Sequence, residues 1–446
     1  MGHHAAHRLP QARRTARRTT RGSLRLLTRF ALDITPLRAS RDFRLLYLGQ
    51  TVSFAGTMIT TVALPYQIYQ RTHSTLAVGL LGAVELVPLL VMALLGGAFA
   101  DAHDRRRMLL LSELALATCS AALVALALLP ASPIWALYLI AALSAGLSGF
   151  QRPALEALTP RLLRGDLMPA AAALQSFGRT LGAVGGPALG GLLIAALGLP
   201  LTYAVDCASF VVCLLAVRQI RAVPPPPDAE PPSLARILEG LRYARRRPDL
   251  MGTYLIDINA MFFGMPMALF PAIAEQLGGT STIGLLYAAP AFGAMLVTLT
   301  SGWTARVHRH GRAIALAAAA WGVSIIGFGF TDSLWPALLC VVLAGAFDMI
   351  SGIFRMTMWN QTIPDGLRGR LAGIEQVSYM TGPLLGNVEA GFVAGLTSIR
   401  FSVVSGGVLC VVGTAALCAL LPAFLRYDDR TSVHRAEKRA EEMVRA

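Results

Sequence analysis

Charged residues are scarce in this sequence. Asp, Glu, Lys and Arg together form 14% of its 446 residues, whereas about a quarter of the residues in a soluble domain are charged. The chain therefore has too few polar side chains to coat a water-soluble globule of its size. Its one lysine is Lys438, so it also lacks the phosphate-binding loop, Gly-x-x-x-x-Gly-Lys-Ser/Thr, of an ATP-driven pump.

Metal-binding and disulfide patterns are lacking as well. The six cysteines lie inside apolar runs without the spacing of zinc ligands, and we interpret them as small core residues. No histidine falls in a predicted membrane span, which leaves a membrane enzyme without a general base or a ligand set. The terminal His3, His4 and His7 are interpreted as incidental. We predict no enzymatic activity, no metal site and no cofactor.

Long apolar runs make up most of the remaining sequence. Hydrophobic residues form 55% of the chain, and its mean hydropathy is +0.57. Runs of about 20 residues can cross ~30 Å of hydrocarbon, where a helix satisfies its own backbone polar groups. We predict an all-α membrane protein with twelve transmembrane helices. The predicted spans are 45–70, 76–99, 108–129, 134–157, 172–196, 200–217, 250–275, 281–303, 312–330, 334–357, 371–397 and 401–425.

Arginine is distributed unevenly among the predicted loops. Arginines follow spans two, four, eight and ten and fill residues 218–247, whereas the alternate loops hold only Arg71 and Arg400. Cytoplasmic loops accumulate positive charge, so both termini and the central loop are predicted to face the cytosol. The basic tail, residues 1–44, carries eleven arginines against two aspartates. We predict that it is disordered and contacts anionic lipid rather than nucleic acid.

An internal repeat relates the first six spans to the last six. Three motifs of the first half recur at corresponding places in the second half. Pro160-x-x-Leu-Arg-Gly-x-Leu recurs from Pro364, Gly79-Leu-Leu recurs from Gly284, and Gly186-Pro-x-x-Gly recurs from Gly382. Two repeated six-span halves are the layout of major facilitator transporters. The predicted segments are the N-terminal tail 1–44, a six-helix bundle 45–217, a cytoplasmic central loop 218–249, a second six-helix bundle 250–425, and a cytoplasmic tail 426–446.

The loop after the second span carries a recognisable motif. It reads Gly97-Ala-Phe-Ala-Asp101-Ala-His-Asp104-Arg105-Arg106. This resembles the signature loop of the major facilitator superfamily, Gly-x-x-x-Asp-Arg-x-Gly-Arg-Arg/Lys, although Ala102 and Asp104 replace its second charged residue and second glycine. The resemblance implies a latch between halves, in which Asp101 faces a helix N-terminus and Arg105 pairs with Glu156. The alternative is that these residues form no latch and are ordinary charges of a cytoplasmic loop, where positive residues accumulate.

The fifth span carries a glycine-rich motif. Its residues are Gly182, Gly186, Pro187, Gly190 and Gly191. The arrangement resembles the motif of the superfamily's proton antiporters; glycines at four-residue spacing let helices approach closely, and proline kinks a helix. Tight packing alone is the alternative. Over residues 40–425 the chain resembles an exporter branch of the superfamily, which implies a siderophore or similar amphiphilic metabolite as cargo. A macrolide or multidrug exporter is the nearest alternative, and an uptake carrier is a further one.

Ionisable side chains at membrane depth are costly, so each is a candidate functional group. Glu85, Asp257 and Asp348 are the candidate proton-coupling residues, with structural pairing as the alternative. The candidate cavity residues are Gln50, Ser53, Thr57, Arg179, Asn259, Phe262, Phe263, Arg355 and Glu375. Many family members carry an acid near Thr57. The resemblance implies a monomer in the bacterial cytoplasmic (inner) membrane that exchanges a small molecule for protons by alternating access.

Overall fold

The regular structure of this chain is helical. The computed structural model describes residues 32–223, 242–243, 245, 247–363 and 365–431, except for the side chains of residues 98, 101, 102 and 365–378. Short 3₁₀ turns lie at Gly165–Leu167, Met267–Leu269 and Ser301–Arg306. The α-helices are α1 (Thr35–Ala39), α2 (Arg41–Thr72), α3 (Thr75–Ala102), α4 (Arg105–Leu128), α5 (Ile134–Leu162), α6 (Met168–Arg218), α7 (Pro248–Phe263), α8 (Phe270–Leu277), α9 (Thr280–Leu299), α10 (His310–Gly329), α11 (Leu334–Thr362), α12 (Asp365–Leu396), α13 (Ile399–Leu420) and α14 (Pro422–Leu425).

Ten helical stretches of the described residues are long and apolar enough to cross a membrane. One of them contains two predicted spans, 172–196 and 200–217, because α6 continues past their junction. The predicted span 371–397 lies in α12, a helix of 32 residues whose first side chains are not described. The twelve predicted spans would be reached only by counting α6 twice and adding α12, so that number stays a prediction.

A kink divides α6 into two helical stretches at Gly198. The backbone there has φ 76° and ψ 173°, which is not helical. Glycine adopts a positive φ without the steric cost that a Cβ would impose. Pro200 follows two residues later and cannot donate a backbone hydrogen bond to the preceding turn. The sequence therefore interrupts the helix at the junction between the two predicted spans.

Short capped turns connect the first helices. His73 ends α2 in a left-handed conformation (φ 47°), and the Ser74 hydroxyl accepts a hydrogen bond from the Ala77 N–H at 3.3 Å. Asp104 caps α4, since its carboxylate accepts the N–H of Arg106 at 2.8 Å and of Arg107 at 3.3 Å. A carboxylate at this position satisfies otherwise unpaired N–H groups and suits the positive end of the helix dipole. This cap gives a physical role to the residue that departs from the signature motif.

The N-terminal tail was predicted to extend further along the chain than the structure shows. Residues 35–39 are already helical and α2 begins at Arg41, whereas the prediction extended the tail to residue 44. Asp33 accepts the N–H and the hydroxyl of Thr35 at 2.9 and 2.5 Å, and Ser40 accepts the Phe43 N–H at 3.2 Å. Such side-chain acceptors start helices. Residues 1–31 of the predicted tail lie outside the described residues.

The hydrophobic core is shared at one end of the bundle and divided at the other. We call helices α2–α6 the N-terminal set and α7–α13 the C-terminal set. The outer end holds the α2–α3 turn, and its core combines residues such as Val62 and Ile68 with Phe270 and Ile283. The inner end holds the first turns of α2 and α7. There, one cluster around Phe43 belongs to the N-terminal set, and a separate cluster around Tyr254 belongs to the C-terminal set.

Two helix pairs join the sets through glycine. A Cβ added at Gly191 in α6 would lie 2.5 Å from the backbone nitrogen of Gly284 in α9. A Cβ added at Gly391 in α12 would lie 2.9 Å from the Cα of Gly79 in α3. Close backbone approach of this kind requires residues without side chains. Near the outer end the Tyr66 hydroxyl also lies 2.8 Å from the Thr280 hydroxyl, within hydrogen-bonding distance.

Candidate functional site

A cavity of about 290 Å³ lies between the two sets. Helices α2, α3, α4 and α5 form one wall, and α9, α12 and the Met267–Leu269 turn form the other. We call it the central cavity. Its polar lining includes Thr57, Thr61, Glu85, Ser148, Tyr287 and Asn387. A site built from both sets changes shape whenever one set moves against the other.

Glu85 is the acidic residue of the central cavity. It lies in α3 one turn before Pro88, and its side chain is half-buried. Within the described residues its carboxyl group has no hydrogen bond or ion pair. The nearby Tyr287 hydroxyl donates to the Met267 carbonyl at 3.0 Å. Glu85 is thus placed to exchange a proton with water in the cavity, and its coupling role stays a prediction.

The other two candidate acids share one arginine. Arg355 of α11 forms an ion pair with Asp257 of α7, and its second terminal nitrogen lies 3.8 Å from Asp348. Arg355 and Asp257 are 5% and 8% exposed. A second cavity of about 450 Å³, lined by Asp257, Arg355, Trp359 and Tyr379 among others, adjoins them. The sequence singled out these residues separately, and the fold brings them into one cluster.

Replacing Arg355 with glutamine is expected to lower the free energy of unfolding by about 3–5 kcal/mol, because it leaves the buried Asp257 without its counter-charge. Thermal unfolding of the purified protein in detergent measures the effect. The double variant Asp257→Asn/Arg355→Gln should recover part of the loss, because the most deeply buried carboxylate, that of Asp257, is removed with its partner and only Asp348 keeps an unpaired charge. Arg400→Gln, which breaks an exposed pair with Asp332, is the control and should cost less than about 1 kcal/mol. Equal losses in Arg355→Gln and the control would contradict the prediction.

A buried carboxyl group in α4 escaped the sequence analysis. Glu113 is 0% exposed and accepts hydrogen bonds from Gln50 at 2.8 Å, Ser53 at 3.2 Å and Gln151 at 2.5 Å. These three donors come from α2 and α5, so Glu113 ties three helices together. The signal was available, since an acid lies inside the predicted span 108–129. Gln50 and Ser53, predicted as cavity residues, therefore serve first as partners of Glu113.

Asp206 forms a second polar contact inside the N-terminal set. It is 2% exposed, and its Oδ2 accepts the hydroxyls of Thr60 at 2.6 Å and Ser120 at 2.8 Å. Its Oδ1 is buried without a hydrogen-bond partner in the part of the chain that the structure describes. The Tyr203 hydroxyl, one turn earlier on α6, donates to Gln67 at 2.8 Å. The N-terminal set is thus held by buried polar contacts along α2 as well as by apolar packing.

Three predicted cavity residues lie elsewhere. The amide of Asn259 donates to the Cys410 carbonyl at 2.9 Å and to Thr414 at 3.2 Å, so it fastens α7 to α13. Phe262 and Phe263 stack edge to face at 4.8 Å, and neither ring lines the central cavity or the second cavity. Phe263 packs against the shared core, and a cargo contact for either ring stays a prediction. Thr57 does line the central cavity.

The structure covers only part of the predicted latch, because the Asp101 side chain is not among the side chains that it describes. Glu156 does not pair with Arg105; it forms an ion pair with Arg152 at 3.2 Å, its neighbour one turn earlier on α5. Arg106 donates to the carbonyls of residues 217 and 218 at 3.3 and 2.5 Å. It therefore caps the C-terminus of α6, where a cation is favoured. Gly97 has open space where a Cβ would be.

The glycine motif of the fifth span serves two contacts. Gly182, Gly186 and Gly190 face α2, where added Cβ atoms would meet Phe54, residues 55 and 58, and Ile59 respectively. Only Gly191 and the Pro187 carbonyl face α9 of the C-terminal set. The motif therefore packs partly within the N-terminal set and partly against the C-terminal set. The reason is helical periodicity, since residues 182, 186 and 190 lie on one face and residue 191 on the next.

The two remaining candidates lie in α6 and α12. Arg179 is exposed and lines a recess of about 110 Å³ together with Gln50, Glu156 and Gln175. The side chain of Glu375 lies outside the described ones. Its role as a cavity residue therefore stays a prediction.

A family model described as "Transmembrane secretion effector" matches residues 31–446, so the chain belongs to this family of major facilitator proteins. It is 30% identical over 395 residues to the enterobactin exporter EntS of Shigella boydii serotype 18, covering 87% of this chain and 94% of that protein. The predicted resemblance to an exporter branch of the major facilitator superfamily is thereby confirmed. The relationship supports export transport of a small molecule by a multi-pass membrane protein.

Solved structures with a similar fold are also transporters. A variant of the nucleoside transporter NupG has a TM-score of 0.71 at 12% identity and covers 85% of this chain and 99% of its own. A bacterial homologue of the human lysosomal transporter Spinster, in an inward-facing and unoccupied conformation, has a TM-score of 0.70 at 18% identity. The match covers 88% of this chain and 98% of that homologue. At these identities the similarity concerns the fold, which is that of major facilitator transporters.

Proposed function

We propose that this chain exports an amphiphilic small molecule, a siderophore or a similar secondary metabolite, in exchange for protons. The central cavity supports this proposal most directly. It lies between the two helix sets and contains Glu85, a carboxyl group without a partner among the described residues. A group that can gain and lose a proton at the boundary between moving parts can couple proton flow to their movement.

The proposed mechanism is alternating access of two six-helix halves, 45–217 and 250–425, joined by the loop 218–249. Twelve spans follow when α6 is counted as two helices divided at Gly198 and α12 is included. The shared core at the outer end and the separate cores at the inner end support a cleft that opens inward. Movement about the glycine contacts between α6 and α9 would reverse that exposure.

The proposed setting is the bacterial inner membrane, with both termini and the inner end in the cytosol. Arginine placement supports this orientation. Cargo then enters from the cytosol or the inner leaflet, and a proton entering from the outside drives its release. The siderophore assignment comes from the relationship to the enterobactin exporter, and macrolide or multidrug efflux is the competing assignment.

Transport into everted membrane vesicles tests the proposal. Respiring vesicles acidify their interior, so export appears as accumulation of labelled cargo inside. Vesicles that contain the protein should accumulate labelled enterobactin above vesicles that lack it, and a protonophore, which collapses both the pH gradient and the membrane potential, should remove the difference. Accumulation that persists after the protonophore would refute proton exchange. Accumulation of a labelled macrolide with no enterobactin would replace the proposed cargo.

A further inference from the structure

A small recess lies in the N-terminal set beside the inner end. Its volume is about 110 Å³, and helices α2, α5 and α6 form its walls. We call it the N-terminal recess. Tyr47, Thr51 and Phe54 line it from α2 at spacings that place them on one helical face. A Cβ added at Gly178 of α6 would lie 2.8 Å from the Thr51 hydroxyl oxygen and 3.3 Å from the Tyr47 ring, so the two helices are in close contact there.

Arg179 places an unpaired cation in this recess. It lies eleven residues after the start of α6, about 16 Å along the helix at 1.5 Å per residue. Its side chain is exposed, and the described residues give its guanidinium no hydrogen bond or ion pair. A charge at membrane depth without a partner is costly unless it faces water or a ligand. The exposed guanidinium of Arg179 therefore faces a wet cavity that a cargo molecule can also enter.

The other charges around the recess do not cancel Arg179. Glu156 is the one carboxylate among the residues that line it. It is paired with Arg152 at 3.2 Å, one turn away on α5. Among the described side chains the recess therefore presents one uncompensated positive charge, and this charge favours an anion.

The uncharged lining selects a flat ligand. Tyr47 and Phe54 supply aromatic faces, and Thr51 and Gln175 supply groups that donate and accept hydrogen bonds. A planar guanidinium binds two oxygen atoms of one anion side by side. An aromatic ring with a carboxylate or phenolate oxygen satisfies both the apolar wall and the cation.

We propose that the N-terminal recess binds the anionic end of an aromatic cargo, with the Arg179 guanidinium as the partner of the anion. This assignment deepens the proposed export function and rests on it. It names an aromatic organic anion as the substrate class, and it gives Arg179 the role of a specificity-determining residue. A cargo that lacks the anion loses this contact but keeps the apolar wall.

Equilibrium binding to the purified protein in lipid nanodiscs tests the site. The probes are radiolabelled salicylate and salicylamide, which share a ring and differ in the charge of one group. The unaltered protein should prefer salicylate. Arg179→Gln should raise the Kd for salicylate about 10-fold or more, because a charge-assisted hydrogen bond is lost. Its affinity for salicylamide should be unchanged, which also reports that the variant is folded.

Two further variants complete the experiment. Arg179→Lys keeps the charge but not the fork of donors, and should restore part of the salicylate affinity. Arg164→Gln removes an exposed arginine outside the recess and should leave binding unchanged. Absence of salicylate binding to the unaltered protein, or equal affinity in Arg179→Gln, would overturn the proposal. Because no gradient is applied, a failure of proton-driven transport with binding intact would count against the proposed function alone.

Discussion

Glu85→Gln is expected to abolish proton-driven accumulation of cargo in everted vesicles while leaving cargo exchange in place. Glutamine has nearly the same shape as glutamate but cannot take up or release a proton. Glu85 lies about 15 Å from the start of α3 at 1.5 Å per residue, in a cavity that both helix sets enclose. Since the described residues supply no cation or donor to its carboxyl group, the substitution breaks no hydrogen bond or ion pair among them.

The size of the effect follows from the energy of the gradient. One proton moving down one pH unit releases about 1.36 kcal/mol, which supports an accumulation of about 10-fold. Loss of a single coupled proton therefore lowers the accumulation ratio by about 10-fold for each pH unit applied. Exchange of labelled for unlabelled cargo needs no net proton movement and should continue. Accumulation and exchange are both measured in the same vesicle preparation.

Two controls make the result specific to this carboxyl group. Glu85→Asp keeps an ionisable group and should retain part of the accumulation. Asp166→Asn removes an exposed acid that lies in the loop before α6 and near Arg164, and it should behave like the unaltered protein. If Glu85→Gln still responds fully to the pH gradient, the coupling group lies elsewhere. Asp257 and Asp348 would then be the next candidates.

Hydrophobic run length predicted most of the fold. The runs at 45–70 and 134–157 correspond to α2 and α5 within a few residues at each end, because crossing a membrane demands both length and apolarity. Apolar length alone could not reveal that Ser40 starts α2 at residue 41 or that the two predicted spans within α6 meet in a kink at Gly198. Those boundaries depend on individual side-chain acceptors and on one positive φ angle.

The site was less predictable than the fold. The cost of charge in lipid identified Asp257 and Arg355 separately, but only the crossing of α7 and α11 shows that they pair. The same rule would have identified Glu113, whose importance comes from three donors on other helices. Conversely, Asn259 was correctly placed in the seventh predicted span, but its amide faces α13. Helix rotation within the bundle decides such cases.

Substitution at the glycine contact between α6 and α9 is expected to impair transport as strongly as substitution of Glu85. Gly191→Ala should reduce transport at least about 10-fold. The added Cβ would lie 2.5 and 2.6 Å from backbone atoms of Gly284, and backbone cannot rotate away as a side chain can. Overpacking of this kind costs about 1–3 kcal/mol, enough to shift a two-state equilibrium about 5- to 150-fold.

The direction of that shift can be measured with one engineered cysteine. Thr61 lines the central cavity, and Thr61→Cys can be labelled from outside intact cells by a membrane-impermeant thiol reagent when the outer end opens. Gly191→Ala should raise this labelling rate, since it pushes apart helices that help to close the outer end. Gly185→Ala is the matched control on the same helix, because its Cβ would meet nothing within 4 Å. If both variants transport and label like the unaltered protein, the α6–α9 contact does not govern which side of the cleft is open.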